Sequence, residues 1–236
     1  MSETAQGAAA KRLGAVLERM AGAARRAGRD PAELTLVAVS KTRPATDLQT
    51  LIDCGQQHFG ENYLQEALPK IETLRPRRLV WHFIGQLQSN KTAPVAEYFD
   101  WVHTVDRLKL VQRLAAQRPF HAPPLNVCVQ VKLGDEPGKG GATVGDLPAL
   151  LEAVARQPQL RLRGLMTLPP AESAEADQRR WFAALREVFQ QMQRQHPAMD
   201  TLSMGMSGDL EAAILEGATM IRIGTALFGE RLQSQA

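Results

Sequence analysis

Short apolar runs of strand length alternate with stretches of helical periodicity along most of the chain. The runs are rich in β-branched and aromatic residues and occupy positions 35–39, 58–59, 81–84, 101–105, 126–131, 162–166, 202–204 and 220–223. Strands that alternate with helices predict a parallel sheet built from right-handed crossovers. Eight such units within about 200 residues favour an α/β fold with a single (β/α)8 TIM-type barrel. An open, doubly wound sheet of roughly six or seven strands is the alternative.

An extra amphipathic helix is predicted ahead of the first strand, outside the barrel repeat. It is expected to end near Gly28. Its apolar positions recur at helical spacing, at Leu13, Val16, Leu17, Met20 and Ala24. No linker-like segment follows, so we expect one domain over residues 1–236 with a core over about 35–231.

The composition does not change the predicted fold, but it excludes several classes of protein. Of the 236 residues, 44% are hydrophobic and 22% are charged, which excludes a largely disordered chain. The net charge is +3 and the basic residues are dispersed, so no nucleic-acid partner is expected. Cys54 and Cys128 are too few for a disulfide framework and lack metal-site spacing. Residues 1–10 show no signal peptide, and no run approaches the ~18 apolar residues of a membrane span. We therefore expect a cytoplasmic protein without a membrane partner.

The segments after the last two predicted strands carry an anion-binding pattern. Functional groups of a (β/α)8 barrel lie at the C-terminal ends of its strands. After the seventh strand, the sequence MSGD (206–209) precedes a helix expected over 210–216, with Ser207 as its N-cap. The free N–H groups of that turn, together with Gly224 and Thr225 after the eighth strand, predict a phosphate site. The alternative is that these residues form only turns and a helix cap.

Lys41 follows the first predicted strand and is expected at the mouth of the barrel. A desolvated lysine amine attacks carbonyl carbons and forms a Schiff base. A salt-bridge role is the alternative for a lysine in this place. An aldehyde that carries a phosphate would use both Lys41 and the phosphate site, and pyridoxal phosphate is such a molecule. A Schiff-base aldolase that acts on a phosphosugar is a further alternative from the same residues.

Six ordered motifs carry a resemblance to a known family. They are VAVSKT (37–42), FGENY (59–63), WHFIGQLQSNK (81–91), GLM (164–166), LSMGMS (202–207) and IRIGTALFG (221–229). In this order they resemble the signature segments of the pyridoxal phosphate homeostasis protein family. The resemblance implies a barrel similar to the N-terminal domain of alanine racemase, which is fold type III of the pyridoxal phosphate proteins. It also implies a protein that stores, buffers or delivers this cofactor inside the cell.

The resemblance further implies roles for individual residues. Lys41 would hold the cofactor as a Schiff base, and Arg222 would face its pyridine nitrogen. The phosphate would be bound by Ser207, Gly224 and Thr225, and the adjacent Gly208 is counted with the cofactor-binding residues. The pocket around the ring would be lined by Asn62, His82 and Met166.

Each of these residues also has a structural interpretation. Arg222 alternates with Ile221 and Ile223, so it points away from them, and a structural ion pair would explain an inward arginine. His82 fits a hydrogen-bonded core imidazole, Asn62 a helix N-cap, and Met166 simple packing.

The chain departs from the family pattern at two positions, and neither belongs to the predicted cofactor shell. Lys132 stands where an asparagine is expected at the end of the fifth strand, and Arg43 stands where a second lysine is expected. The glycine-rich stretch over 138–141 has no nucleotide-binding spacing and is interpreted as a mobile loop.

Catalysis is not expected. The racemases take an acid/base opposite the lysine from an additional β domain, which this sequence lacks, and neither Tyr63 nor Tyr98 lies in a late segment that could replace it. We therefore expect a non-enzymatic, monomeric carrier with no catalytic residue and no metal, whose partners are the cofactor and the apoenzymes that receive it. The alternative is a low-activity amino-acid racemase or lyase that uses Lys41 as its single base.

Overall fold

The structure is a computed structural model that describes residues 5–134, 140–170 and 174–229. Within these residues the strands form a closed, all-parallel barrel in sequence order, in which the last strand pairs with the first. The barrel prediction is confirmed, and the open-sheet alternative is wrong. The strands are β1 (Thr35–Val39), β2 (His58–Glu61), β3 (Val80–Phe83), β4 (Trp101–Val105), β5 (Leu125–Gln130), β6 (Leu160–Met166), β7 (Thr201–Ser203) and β8 (Met220–Ile223).

Helices cover the outside of the barrel between the strands. They are α1 (Ala5–Arg26), α2 (Ala45–Asp53), α3 (Leu64–Leu74), α4 (Thr92–Tyr98), α5 (Leu108–Gln117), α6 (Leu147–Ala155), α7 (Glu175–Gln193), α8 (Leu210–Leu215) and α9 (Thr225–Phe228). In the described part of the chain, none of them is both long and apolar enough to cross a bilayer.

The predicted extra helix is α1, which packs against α2, α8 and α9. It buries Leu13, Val16 and Met20, as the helical spacing predicts. Leu17 was expected in the same stripe but is 46% exposed, because the buried face of α1 is narrower than the apolar stripe.

Side chains of the strands alternate between two separate cores. Ile221 and Ile223 belong to the large apolar layer between the sheet and the helices, whereas Arg222 points into the barrel. This confirms the predicted orientation of Arg222. The apolar part of the barrel interior is small and consists of Val37, Trp101, Cys128, Met166 and Met220. Barrel interiors are usually filled by layers of branched aliphatic side chains. Because this apolar cluster is small, other interior positions are occupied by polar side chains such as Arg222.

Two predictions concern residues outside this description. Two of the four positions in the loop interpretation of 138–141 fall within 135–139, and the expected end of the core at 231 falls within 230–236. Both stay predictions.

Candidate functional site

A cavity of about 540 Å3 opens at the C-terminal ends of the strands. This volume lies within the usual range of small-molecule sites. Three predicted site residues with reactive or polar side chains line it, namely Lys41, Asn62 and Arg222, together with Gly208. Its other walls are mostly apolar and are formed by Val39, Ile84, Leu168, Pro169, Pro170 and Met206, with Gln178 and Asp209 as further polar groups.

Lys41 is half-buried at the end of β1, and its amino group makes no hydrogen bond or ion pair with the described residues. The salt-bridge alternative for Lys41 therefore finds no partner there. An amine that faces a cavity without a carboxylate partner is available to react with a carbonyl group.

A buried ion pair fixes the residue before Lys41. Lys70 on α3 donates hydrogen bonds to Glu61 Oε1 at 2.7 Å and to the Ser40 carbonyl oxygen at 2.8 Å. Ser40 Oγ also donates to Glu61 Oε1, at 2.6 Å. Burial raises the pKa of Glu61, and the hydrogen bond from Lys70 opposes this effect. The strand end that carries Lys41 is thus tied to both β2 and α3.

The residue after Lys41 is also held in place. Thr42 adopts a left-handed backbone conformation with φ of 62°, which is uncommon for a residue other than glycine. Its backbone N–H donates to Glu66 Oε2 at 2.6 Å. Together with the Ser40 contacts, this turn orients Lys41 toward the cavity rather than along the strand.

Arg222 is only 3% exposed and reaches the cavity from inside the barrel. Its Nη1 donates to Ser203 Oγ at 2.7 Å and its Nη2 donates to the Thr167 carbonyl oxygen at 2.9 Å. Burial lowers the pKa of Arg222 to about 10, while the carboxylate of Asp209 acts in the opposite direction. No carboxylate lies within ion-pair distance of this guanidinium in the described chain, so the structural ion pair is not found. A guanidinium has five N–H donors, so donors remain for a ligand in the cavity.

Asn62 contributes a polar atom that lacks a partner. Its Oδ1 is buried and accepts no hydrogen bond from the described residues. The helix-cap alternative is wrong, because the N-cap of α3 is Tyr63. Gly85 packs against the backbone of Asn62, where a Cβ atom would lie 2.1 Å from the Asn62 carbonyl oxygen. Gly85 thereby permits the close approach of β3 that places Asn62 at the cavity.

The loop after β7 differs from its prediction in one respect. Ser207 is not an N-cap, because α8 begins at Leu210 and Asp209 precedes it. The physical reason is a local turn in which the backbone N–H of Met206 donates to Asp209 Oδ1 at 2.5 Å. Burial raises the pKa of Asp209, and this hydrogen bond opposes that effect.

Gly208 lies on the loop after β7, and Gly224 and Thr225 directly follow β8. A Cβ atom at Gly208 would meet no other atom within 4 Å, so open space adjoins its backbone. Gly224 caps the short helix α9 with φ of −113°, and Thr225 begins that helix and is exposed. None of the three predicted phosphate-binding residues, Ser207, Gly224 and Thr225, lines the cavity itself, whereas Gly208, predicted as a further cofactor-binding residue, does.

His82 and Met166 lie deeper than predicted and do not line the cavity. His82 is fully buried, and both of its ring nitrogens contact other histidines inside the barrel. Met166 packs in the small apolar core of the barrel. Both side chains occupy inward positions of their strands below the mouth, which explains their distance from the cavity.

Arg43 and Lys132, the two departures from the family pattern, lie in different parts of the fold. Arg43 donates to the Gly229 carbonyl oxygen and lies over the ring of Phe228, 5.7 Å from its centroid. Lys132 follows β5, where its backbone pairs with Ala142. Neither residue lines the cavity.

Sequence reasoning did not identify His103, Ser203 and Asp209. Ser203 accepts a hydrogen bond from Arg222 and contacts His103, and Asp209 is the one carboxylate among the described lining residues. The strand alternation of side chains could have indicated His103 and Ser203. Successive side chains of a strand point to opposite faces, and a polar residue on the inward face needs a polar partner on a neighbouring strand.

Comparison with known proteins identifies the relatives of this chain. The model of the family described as alanine racemase, N-terminal domain, matches residues 12–232. The pyridoxal phosphate homeostasis protein of Pseudomonas aeruginosa is 55% identical over 222 residues, which is 94% of this chain and 95% of the relative. The protein of the same name from Escherichia coli K12 is 50% identical over 225 residues, with 94% and 96% covered.

Solved structures agree with these relationships. The structure of PipY from Synechococcus elongatus PCC7942, solved with pyridoxal phosphate bound, has a TM-score of 0.81 and 38% identity, with 94% of this chain and 100% of PipY covered. Alanine racemase from Corynebacterium glutamicum shares the fold at a TM-score of 0.64 and 18% identity, with 95% of this chain and 62% of the racemase covered. The predicted resemblance is therefore confirmed, and the chain belongs to the pyridoxal phosphate homeostasis protein family.

Proposed function

We propose that this protein binds pyridoxal 5'-phosphate as a Schiff base on Lys41 and serves in intracellular homeostasis of that cofactor. The observation that carries the proposal is the convergence of Lys41, Arg222 and Asn62 on one cavity. Within the described chain, the Lys41 amine has no partner, the Arg222 guanidinium has donors to spare, and the buried Asn62 Oδ1 accepts no hydrogen bond. Buried polar groups normally have partners, so such a set indicates a polar ligand.

The residues fit this cofactor by the type of each group. When bound, the cofactor supplies an aldehyde that condenses with the Lys41 amine and releases water. Arg222 would donate to the acceptor nitrogen of the ring and disfavour a proton there. Asn62 Oδ1 would accept a hydrogen bond from a donor on the ring. Ile84 and Leu168 in the apolar walls of the cavity would pack against the ring.

The phosphate is assigned to the loops after β7 and β8. Ser207 and Thr225 supply hydroxyl groups, open space adjoins the backbone of Gly208, and Gly224 supplies a further backbone N–H. Hydrogen bonds to a charged phosphate are worth roughly 1.5–3 kcal/mol each. The hydrogen bond from Met206 holds the Asp209 carboxylate within its own turn, which limits its repulsion of the phosphate.

A carrier role is supported by the small number of titratable groups in the cavity. Among the described lining residues only Lys41, Asp209 and Arg222 can titrate. Tyr63 is 52% exposed and does not line this cavity. The names of the relatives point the same way. We further propose a cytoplasmic monomer that passes the cofactor to apoenzymes, in a compartment where the unpaired Cys54 and Cys128 stay reduced.

Reduction of the loaded protein with borohydride tests the assignment of Lys41. The wild type should gain an absorbance band on incubation with pyridoxal phosphate, and the reduced adduct should map to the peptide that contains Lys41. Lys41→Ala should lose both signals, whereas Lys109→Ala, a change at an exposed lysine of α5, should keep both. An adduct on Lys91 or Lys132 with Lys41 unmodified would overturn the assignment.

A racemase or lyase is the second candidate function, and Asp209 is the observation that favours testing it. A carboxylate in the cavity could exchange a proton with an amino acid bound to the cofactor. The loaded wild type and Asp209→Asn should both leave amino acids unchanged if the protein is a carrier. Turnover by the wild type at an ordinary enzymatic rate, roughly 1–1000 per second, with loss in Asp209→Asn would establish the enzyme instead.

A further inference from the structure

Four side chains form a continuous hydrogen-bond chain that ends at Arg222. His58 Nδ1 lies 2.9 Å from His82 Nε2, and His82 Nδ1 lies 2.9 Å from His103 Nε2. His103 Nδ1 lies 2.8 Å from Ser203 Oγ, which accepts the 2.7 Å hydrogen bond from Arg222 Nη1. Every nitrogen between the two ends of the chain is therefore engaged.

The chain crosses the whole interior of the barrel. His58 is the first residue of β2 and lines a cavity of about 280 Å3 at the N-terminal end of the strands. His82 on β3 and His103 on β4 are fully buried, and His82 also stacks on Trp101 with ring centroids 5.4 Å apart. Arg222 lines the functional cavity at the opposite end.

The geometry is that of a hydrogen-bond chain rather than a metal site. In the chain as described, no group of three histidine, cysteine or acidic side chains is arranged to hold a metal ion. Burial lowers the pKa of each of the three histidines, so each ring is neutral near pH 7 and carries one N–H.

Arg222 determines the direction of every hydrogen bond in the chain. A guanidinium only donates, so Ser203 Oγ must accept from Arg222 and point its own proton elsewhere. Among the described contacts, the available acceptor for that proton is His103 Nδ1. His103 then carries its proton on Nε2 and donates to His82 Nδ1. By the same reasoning His82 donates from Nε2 to His58 Nδ1.

We propose that Ser203 and His103 are positioning residues for Arg222, and that His82 and His58 hold them in one tautomeric order through the barrel. Among the described residues, the partners of Arg222 at hydrogen-bond distance are both neutral, namely Ser203 and the Thr167 carbonyl oxygen. Loss of Ser203 Oγ leaves the Thr167 carbonyl oxygen as the single acceptor among the described residues, and the guanidinium can then rotate about that one hydrogen bond. The role of Arg222 at the ring nitrogen rests on the proposed function. The tautomeric order does not, because it is a property of the cofactor-free protein.

Nitrogen NMR of the imidazole rings in the cofactor-free protein tests the order directly. In the wild type, His58, His82 and His103 should all be protonated on Nε2. Ser203→Ala removes the hydroxyl donor that fixes the order, so mixed tautomers should appear at His103 and also at His82, although His82 does not touch Ser203. Thr201→Val is the matched control, because it removes a hydroxyl from the same strand that bonds to Asp200 instead. Wild-type rings protonated on Nδ1 or in mixed tautomers would overturn the inference without any variant, as would an unchanged His82 in folded Ser203→Ala.

Cofactor binding tests the positioning role. Ser203→Ala should bind pyridoxal phosphate about fivefold more weakly, the equivalent of one neutral hydrogen bond, and the absorbance of the bound cofactor should shift. Thr201→Val should keep the wild-type affinity and spectrum. If Ser203→Ala matches the wild type in both, the positioning role is wrong while the proposed function stands. If the wild type fails to bind the cofactor at Lys41, the proposed function is wrong, and the NMR result still decides the tautomeric order.

Discussion

The reactive residues of the site lie between rigid neighbours. Lys41 follows Ser40, which is fixed by the buried pair of Glu61 and Lys70, and Arg222 is fixed by Ser203 and Thr167. Preorganisation of this kind reduces the ordering cost of binding, because the polar groups already face the ligand. Asn62 is the exception, since its buried Oδ1 has no partner among the described residues.

Asn62→Leu should therefore separate stability from binding. A buried acceptor without a donor costs roughly 1–3 kcal/mol, so its removal should leave the free energy of unfolding of the cofactor-free protein unchanged or raise it. The same change should weaken cofactor binding about fivefold through loss of one hydrogen bond. Chemical denaturation and a binding titration measure the two effects.

Asn126→Leu is the control for this prediction. Asn126 on β5 donates to the Asp100 carbonyl oxygen and accepts from Arg163, both at 3.0 Å. Its replacement should lower the free energy of unfolding and leave cofactor affinity unchanged. Equal destabilisation by both variants would mean that Asn62 Oδ1 has a partner in the free protein.

At the scale of elements, the strands were predictable and the loops only partly. All eight apolar runs became strands, because alternation and β-branched content are local properties of the chain. The start of α8 at Leu210 agrees with the sequence, but its N-cap was not predicted, since Asp209 rather than Ser207 precedes the helix and closes the turn with Met206. The histidine chain depends on the register between β2, β3 and β4, which no single segment contains. Lys41 and Arg222 were found because their strand positions and family motifs are visible in the sequence alone.

The Glu61–Lys70 pair provides a prediction for the element that carries Lys41. Lys70→Met leaves a buried carboxylate without its cation, which typically costs 3–5 kcal/mol, so we expect a loss of about that size in the free energy of unfolding. Lys70→Met with Glu61→Leu should regain much of it, because no charge is left buried. Urea denaturation of the two variants measures the difference.

The exposed pair of Arg75 and Glu72 serves as the comparison. Its N–O distance is 3.9 Å, and both side chains are largely exposed, so Arg75→Met should change the free energy of unfolding by less than about 0.5 kcal/mol. A Lys70→Met effect as small as that of Arg75→Met would contradict the role of the buried pair in fixing the β1 end.

At the scale of the whole molecule, the barrel interior predicts an acid-sensitive fold. Burial lowers the pKa of His58 and, well below its usual value, that of His82, where His103 and His58 add to the effect. Burial and then the charge of Arg222 lower the pKa of His103 to about 3. In the unfolded chain each ring takes up a proton as the pH falls through about 6.5, while the folded rings stay neutral.

Unfolding therefore binds protons below about pH 6.5, and the free energy of unfolding must fall as the pH falls. Each histidine contributes up to about 1.4 kcal/mol per pH unit, so the slope between about pH 6 and 5 should approach 4 kcal/mol per unit if all three remain neutral. Urea denaturation at a series of pH values measures this slope. His103→Gln removes one of the three histidines, so it should lower the slope by up to about 1.4 kcal/mol per pH unit. His121→Gln, a change at an exposed residue, should not alter the slope. A slope that is the same in the wild type and in His103→Gln would mean that His103 takes up its proton in the folded barrel, against the neutral chain that supports Arg222.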